Sequence, residues 1–111
     1  MVVKDLVEAL NLKVFSAAGC LDREIEGGYV SDLLSDVMGN AEMGQVWITL
    51  QTHKNIMAIA SLKELACIIL VKGLEPNSET IAQSEQEGIP ILGSEQESFE
   101  LAGKIYAMLQ G

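Results

Sequence analysis

Apolar residues recur at Val3, Leu6, Val7 and Leu10, the spacing of one helical face, so the chain opens with an amphipathic helix over Val2–Leu10. Asn11 is placed to end it, and Lys13-Val14-Phe15 predicts a brief strand. A loop around Gly19 follows over residues 16–21. Residues 23–31 alternate in part and predict a strand interrupted by Gly27-Gly28, the mark of a bulge or of close backbone approach. Ser31 or Asp32 is placed to cap the next helix, whose apolar face is Leu33, Leu34, Val37 and Met38 and whose stop is Gly39-Asn40.

Beyond this point the pattern is stronger. Gln45–Leu50 is rich in β-branched and aromatic residues and predicts a strand. Asn55–Leu65 has helical spacing, although a capping box at Ser61–Glu64 offers a later start. Ala66–Val71 is continuously apolar, as in a strand buried on both faces. Pro76 opens a helix that Gly88 stops, and residues 89–92 form a short strand in which Pro90 favours an edge or terminal place. Ser94 with Glu97 reads as a capping box for a last helix presenting Phe99, Ala102, Ile105, Tyr106 and Leu109 on one face. Regular alternation of strand and helix predicts a single α/β domain over residues 1–111. Its sheet has four or five strands, mostly parallel, with helices against it. The direction of the N-terminal strands stays open.

Charge narrows the function. Seven Lys and Arg against sixteen Asp and Glu give a net charge of −9, which repels phosphate backbones and anionic lipid, so nucleic-acid and membrane partners are not expected. The longest apolar run, Leu65–Val71, is far too short to span a bilayer, and no basic-then-apolar leader is visible. Cys20 and Cys67 read as two separate reduced thiols, which fits the cytoplasm, and Cys67 reads as a buried apolar residue.

The chain has no phosphate-loop, dinucleotide or nucleophile-elbow motif, and one histidine with two scattered cysteines does not make a usual zinc site. His53 is the one side chain expected to titrate near neutrality, but no nucleophile or metal partner accompanies it. Asp32 and Asp36, four apart, share a helix side as a solvated face or a weak cation site. The better-founded group lies where predicted strands end, at Gln51-Thr52-His53, Lys72-Gly73 and Gly93-Ser94. If the strands are parallel, these loops meet on one edge beside helix N-termini, which suit anions. Thr52, His53, Lys72, Gly73 and Ser94 are therefore candidate ligand-binding residues. The alternative is that the loops are connecting turns only.

Several stretches are also familiar. Residues 2–12 and Gly19-Cys20-Leu21-Asp22-Arg23-Glu24-Ile25 resemble the opening of the N-terminal domain of HPr kinase/phosphorylase. Residues 68–76 and 87–92 are similar to its later half and to DRTGG domains, which accompany CBS domains in some pyrophosphatases and occur in long phosphate acetyltransferases. Residues 27–41 and 47–53 resemble stand-alone DRTGG-type proteins. The literal DRTGG string is absent: the corresponding positions are Gln51-Thr52-His53 and Val71-Lys72-Gly73, where only Gly73 is kept of the second stretch. The resemblance implies no kinase activity and a regulatory, subunit-contact role; no cofactor is expected. Together with the converging strand-end loops it points to a non-catalytic regulatory module that binds a small anionic ligand, a nucleotide or phosphate compound, and self-associates, with a homodimer as the default because isologous dimers are the commonest homo-oligomers. A separate kinase or enzyme would be its partner. The alternative is a structural dimerisation module with no small ligand.

Overall fold

The computed structural model describes residues 1–111. Helix α1 (Val3–Leu10) is followed by strand β1 (Lys13–Ser16), a single 3-10 turn and β2 (Gly27–Val30). Then come α2 (Leu34–Asn40), β3 (Gln45–Thr49), α3 (Asn55–Leu62), β4 (Cys67–Leu70), α4 (Ser78–Glu87), β5 (Ile91–Gly93) and α5 (Ser98–Gln110). The five strands form one sheet in the order β1-β5-β4-β3-β2. β2 through β5 pair in parallel, and β1 joins β5 antiparallel, which settles the open direction.

Each step from β2 to β5 advances one strand the same way, and right-handed crossovers therefore put α2, α3 and α4 on one face. The two cores reflect this. Trp47, Ile68, Leu70 and Ile91 pack with Val37 of α2 and Ile56, Met57 and Ala60 of α3. Val46, Ile48, Cys67, Ile69 and Leu92 pack with Val3 and Leu6 of α1 and Leu101 and Ile105 of α5 on the other face. Successive residues of β3 and β4 thus bury into opposite layers, as the continuous apolar run at 66–71 requires.

Trp47 is fully buried, and its indole N–H donates to the Ser31 carbonyl at 2.8 Å, tying β3 to the end of β2. α4 is less apolar and docks through hydroxyls. Ser84 Oγ donates to the Ile89 carbonyl at 2.5 Å and meets Ser16 Oγ at 2.7 Å. A bulge between Val14 and Ser16 turns Phe15 onto Gly93, where a Cβ would lie 2.5 Å from the ring.

Several boundaries differ from expectation. The 23–31 strand shrinks to β2; Glu24 makes only an isolated bridge to Val2. α3 starts at Asn55, so the Ser61 box is not a helix start. α4 starts at Ser78, two residues after Pro76. Pro90 directly precedes β5, a terminal place, but β5 itself is internal because β1 covers its other side. No helix is long and apolar enough to cross a membrane.

Candidate functional site

Because β3, β4 and β5 are parallel, their carboxyl ends share one edge, and backbone bonds stitch the following loops together. Ser94 N–H donates to Leu70 O at 2.9 Å, Gly73 N–H to Ser94 O at 2.9 Å and Lys72 N–H to Gln96 O at 2.9 Å. The Thr52 carbonyl accepts from Asn77 N–H at 3.3 Å and from Thr80 Oγ1 at 2.9 Å, which seats the β3–α3 loop on the start of α4. Thr52, His53, Lys72, Gly73 and Ser94 all lie on this edge.

Their roles within the fold differ. His53 Nδ1 accepts the Asn55 N–H at 3.3 Å and its carbonyl accepts the Ile56 N–H at 3.1 Å, so His53 closes the first turn of α3. Gly73 has φ +70°, a backbone conformation that favours glycine, and a Cβ there would lie 2.7 Å from the movable Glu95 Oε2. The N–H groups of Lys72, Gly73 and Leu74 all donate within the protein, so the turn is not a backbone cradle for an anion. Lys72 is exposed and takes part in none of the chain's ion pairs. Ser94 is 8% exposed, and its Oγ accepts the Gln96 N–H at 3.1 Å. It does not cap α5. That helix begins after Glu97, because Ser94 closes a local turn first.

The N-terminus of α4 is different. Asn77 makes no side-chain cap bond, and the N–H groups of Ser78, Glu79 and Thr80 have no backbone partner. Lys54 reaches Glu79 at 3.0 Å. The Lys54 hydrogen bond and charge, with a smaller effect of His53, hold the Glu79 carboxyl below the usual range despite some desolvation. Lys54 is the residue that sequence reasoning missed. Its signal was its place directly after His53 in the same loop. Lys54 and Asn55 also open a recess of about 520 Å³ between α3 and α4, which runs to Gln83 and Glu87.

Asp32 and Asp36 do not form a pair. Asp32 Oδ1 accepts from Thr49 Oγ1 at 2.9 Å and from Leu50 N–H at 2.7 Å, fixing the end of β3. Asp36 accepts from the Tyr29 phenol at 2.9 Å and from Asn40. Cys67 is fully buried, and burial pushes its thiol up to about 12 against an opposing pull from Arg23. No group of three or more His, Cys, Asp or Glu is placed to hold a metal ion. A larger groove, about 920 Å³, lies between β2 and α5.

The chain matches the DRTGG domain family over residues 5–108. It belongs to that family. No curated protein matches it. Among solved structures it is similar to the CBS and DRTGG domains of the regulatory region of Clostridium perfringens pyrophosphatase, a structure complexed with the activator diadenosine tetraphosphate. The TM-score is 0.72 at 13% identity over 91% of this chain, so the likeness is one of fold. This DRTGG chain spans 44% of that regulatory region. Membership without the literal motif has a physical side: Gly73, the retained glycine, serves the turn against Glu95 whatever the neighbouring residues bind.

Proposed function

We propose that this DRTGG protein is a non-catalytic regulatory module that binds a small anionic ligand, a nucleotide or phosphate compound, and associates with itself. One observation carries the ligand reading. The uncapped first turn of α4 is anchored on the Thr52 carbonyl, with His53 and Lys54 on the loop beside it. Free N–H groups at a helix start attract anions; Lys54 lies beside them but is paired with Glu79, so its charge serves a ligand only when that pair opens. Lys72 supplies a second cation on the same edge, while the Glu95 carboxylate against Gly73 opposes it. The pyrophosphatase regulatory region binds a nucleotide polyanion, which fits the same ligand class. Catalysis is assigned elsewhere, to a separate kinase or enzyme; His53 Nδ1 accepts a helix-turn N–H and Cys67 is buried.

The test is thermal unfolding against adenine and guanine nucleotides, diadenosine tetraphosphate, phosphate, acetyl phosphate and pyrophosphate. A ligand at 100 times its Kd adds about 2.7 kcal/mol, a shift of several degrees for a domain this size. Lys54→Ala and Lys72→Ala should reduce the shift, and Glu95→Gln should enlarge it. A flat panel at millimolar concentration sinks the ligand reading. A purely structural module would then remain, favoured by Phe99 and Tyr106, which are 86% and 66% exposed.

A further inference from the structure

The sequence groups Phe99 and Tyr106 with Ala102, Ile105 and Leu109 on one face of α5, yet both are exposed. The helix instead buries Leu101 and Ile105. Beside them, edge strand β2 leaves Val30 half exposed, at 51%. Gly28 contributes no side chain, and a Cβ there would meet nothing closer than the Val46 carbonyl at 3.8 Å. The result is the groove of about 920 Å³, whose apolar lining includes Val30, Ile48, Phe99, Ala102 and Tyr106. Exposed aromatics around a concave apolar surface at an open sheet edge mark an interaction site.

The pattern along α5 suits a second copy of the same helix. Phe99 and Tyr106 are two turns apart and form one row. Glu100 and Lys104 are one turn apart and form a second row, and neither is engaged in an ion pair within the chain. Gly103 lies between the rows with open space where a Cβ would project. A glycine in a helix interior costs about 1 kcal/mol relative to alanine, and close approach of another helix gives it a use. Antiparallel contact of two copies of α5, crossing at Ala102–Gly103, sets Phe99 against the partner's Tyr106. The same crossing sets Glu100 against the partner's Lys104. One two-fold axis satisfies both rows.

We propose that the α5–β2 face is an isologous interface with a second copy of this chain, in which α5 packs antiparallel on its mate and the aromatic pairs fill both grooves. This rests on the reading of the protein as self-associating, and it names the surface.

Sedimentation velocity on the full chain tests it through charge exchange. At about 0.15 M salt, where only the charges nearest the interface act, Glu100→Lys alone and Lys104→Glu alone each set like charges opposite one another and should weaken the dimer about tenfold. The double variant should restore it. An equimolar mixture of the two single variants should form the heterodimer in preference to either homodimer. Phe99→Ser with Tyr106→Ser should give a folded monomer, since both side chains are exposed and the far-ultraviolet circular dichroism should not change. A wild-type protein that stays monomeric at 100 times the concentration used for the ligand assays overturns self-association itself. It would leave the groove to a small apolar ligand or another protein. A wild-type dimer indifferent to all these exchanges overturns the surface and leaves self-association standing.

Discussion

Tyr29 and Asp36 show what a hydrogen bond does between two partly buried side chains. The Ser31 hydroxyl, then the Tyr29 phenol, and in smaller measure the Asn40 amide, hold the Asp36 carboxyl below the usual carboxylate range, against a weaker desolvation effect. The same bond to Asp36, with some desolvation and the carboxylate's charge, raises the Tyr29 phenol above its ordinary value. The two signs give opposite pH windows. Asp36 is depressed, so its contribution is present above the unfolded carboxylate pKa and is lost as pH falls through the folded value. Tyr29 is raised, so its contribution is present below the unfolded phenol pKa and is lost as pH rises through the folded one. Tyr29→Phe should therefore move Asp36 upward toward its ordinary value, in part only, because Ser31 and Asn40 remain. Carboxyl-detected nuclear magnetic resonance titration measures this directly, and an unmoved Asp36 midpoint would refute the assignment. Sequence spacing alone grouped Asp36 with Asp32. The bonds that separate them run from Asp32 to Thr49 and Leu50, on a strand whose position only the sheet determines.

At the scale of elements, Arg23 acts as a clamp at the amino ends of β4 and β5. Its Nε donates to Ala66 O at 3.0 Å and its Nη2 to Leu65 O at 2.8 Å, with a long contact from Nη1 to Gly88 O at 3.5 Å. Arg23→Met keeps the aliphatic bulk and removes the donors. Two largely buried carbonyls lose their charged partner, and the protein should lose about 2 kcal/mol. Urea unfolding would show it, and a loss under about 0.5 kcal/mol would mean that water replaces the clamp. Nothing in the local sequence announces this role, because all three acceptors lie more than forty residues away. β3 and β4 were legible for the opposite reason: a strand buried on both faces writes its environment into every residue. α1 and α3 were legible from apolar spacing, and the convergence of the strand ends followed from parallel order. α5 was misread in its face. Its apolar residues wrap most of the helix, and the short β2 edge with Gly28 offers nothing to cover Phe99 and Tyr106. Ser94 was misread because the capping pattern also fits a tight turn, and the turn's bond to Gln96 is closer in sequence.

For the whole molecule the decisive quantity is charge. Each copy carries −9 within dimensions of 34 × 27 × 24 Å, so the centres of two docked copies lie about as far apart as the shorter dimensions. The screening length is about 30 Å at 0.01 M salt and about 8 Å at 0.15 M. At the lower salt the two bodies repel across their full width, and at the higher salt only the charges nearest the interface still act. The symmetric Glu100–Lys104 pairs respond in the opposite sense, but two exposed pairs contribute only about 0.5–2 kcal/mol together. A point-charge estimate of the body-to-body repulsion at low salt exceeds that by several kcal/mol. The aromatic contacts are indifferent to screening over this range. Dimerisation through α5 should thus tighten as salt rises, with Kd falling about tenfold or more between 0.01 and 0.15 M. Sedimentation equilibrium at several salt concentrations reads the slope. A Kd that rises with salt would mean that ion pairs dominate the contact. The aromatic rows on α5 would then not be what holds the two copies together.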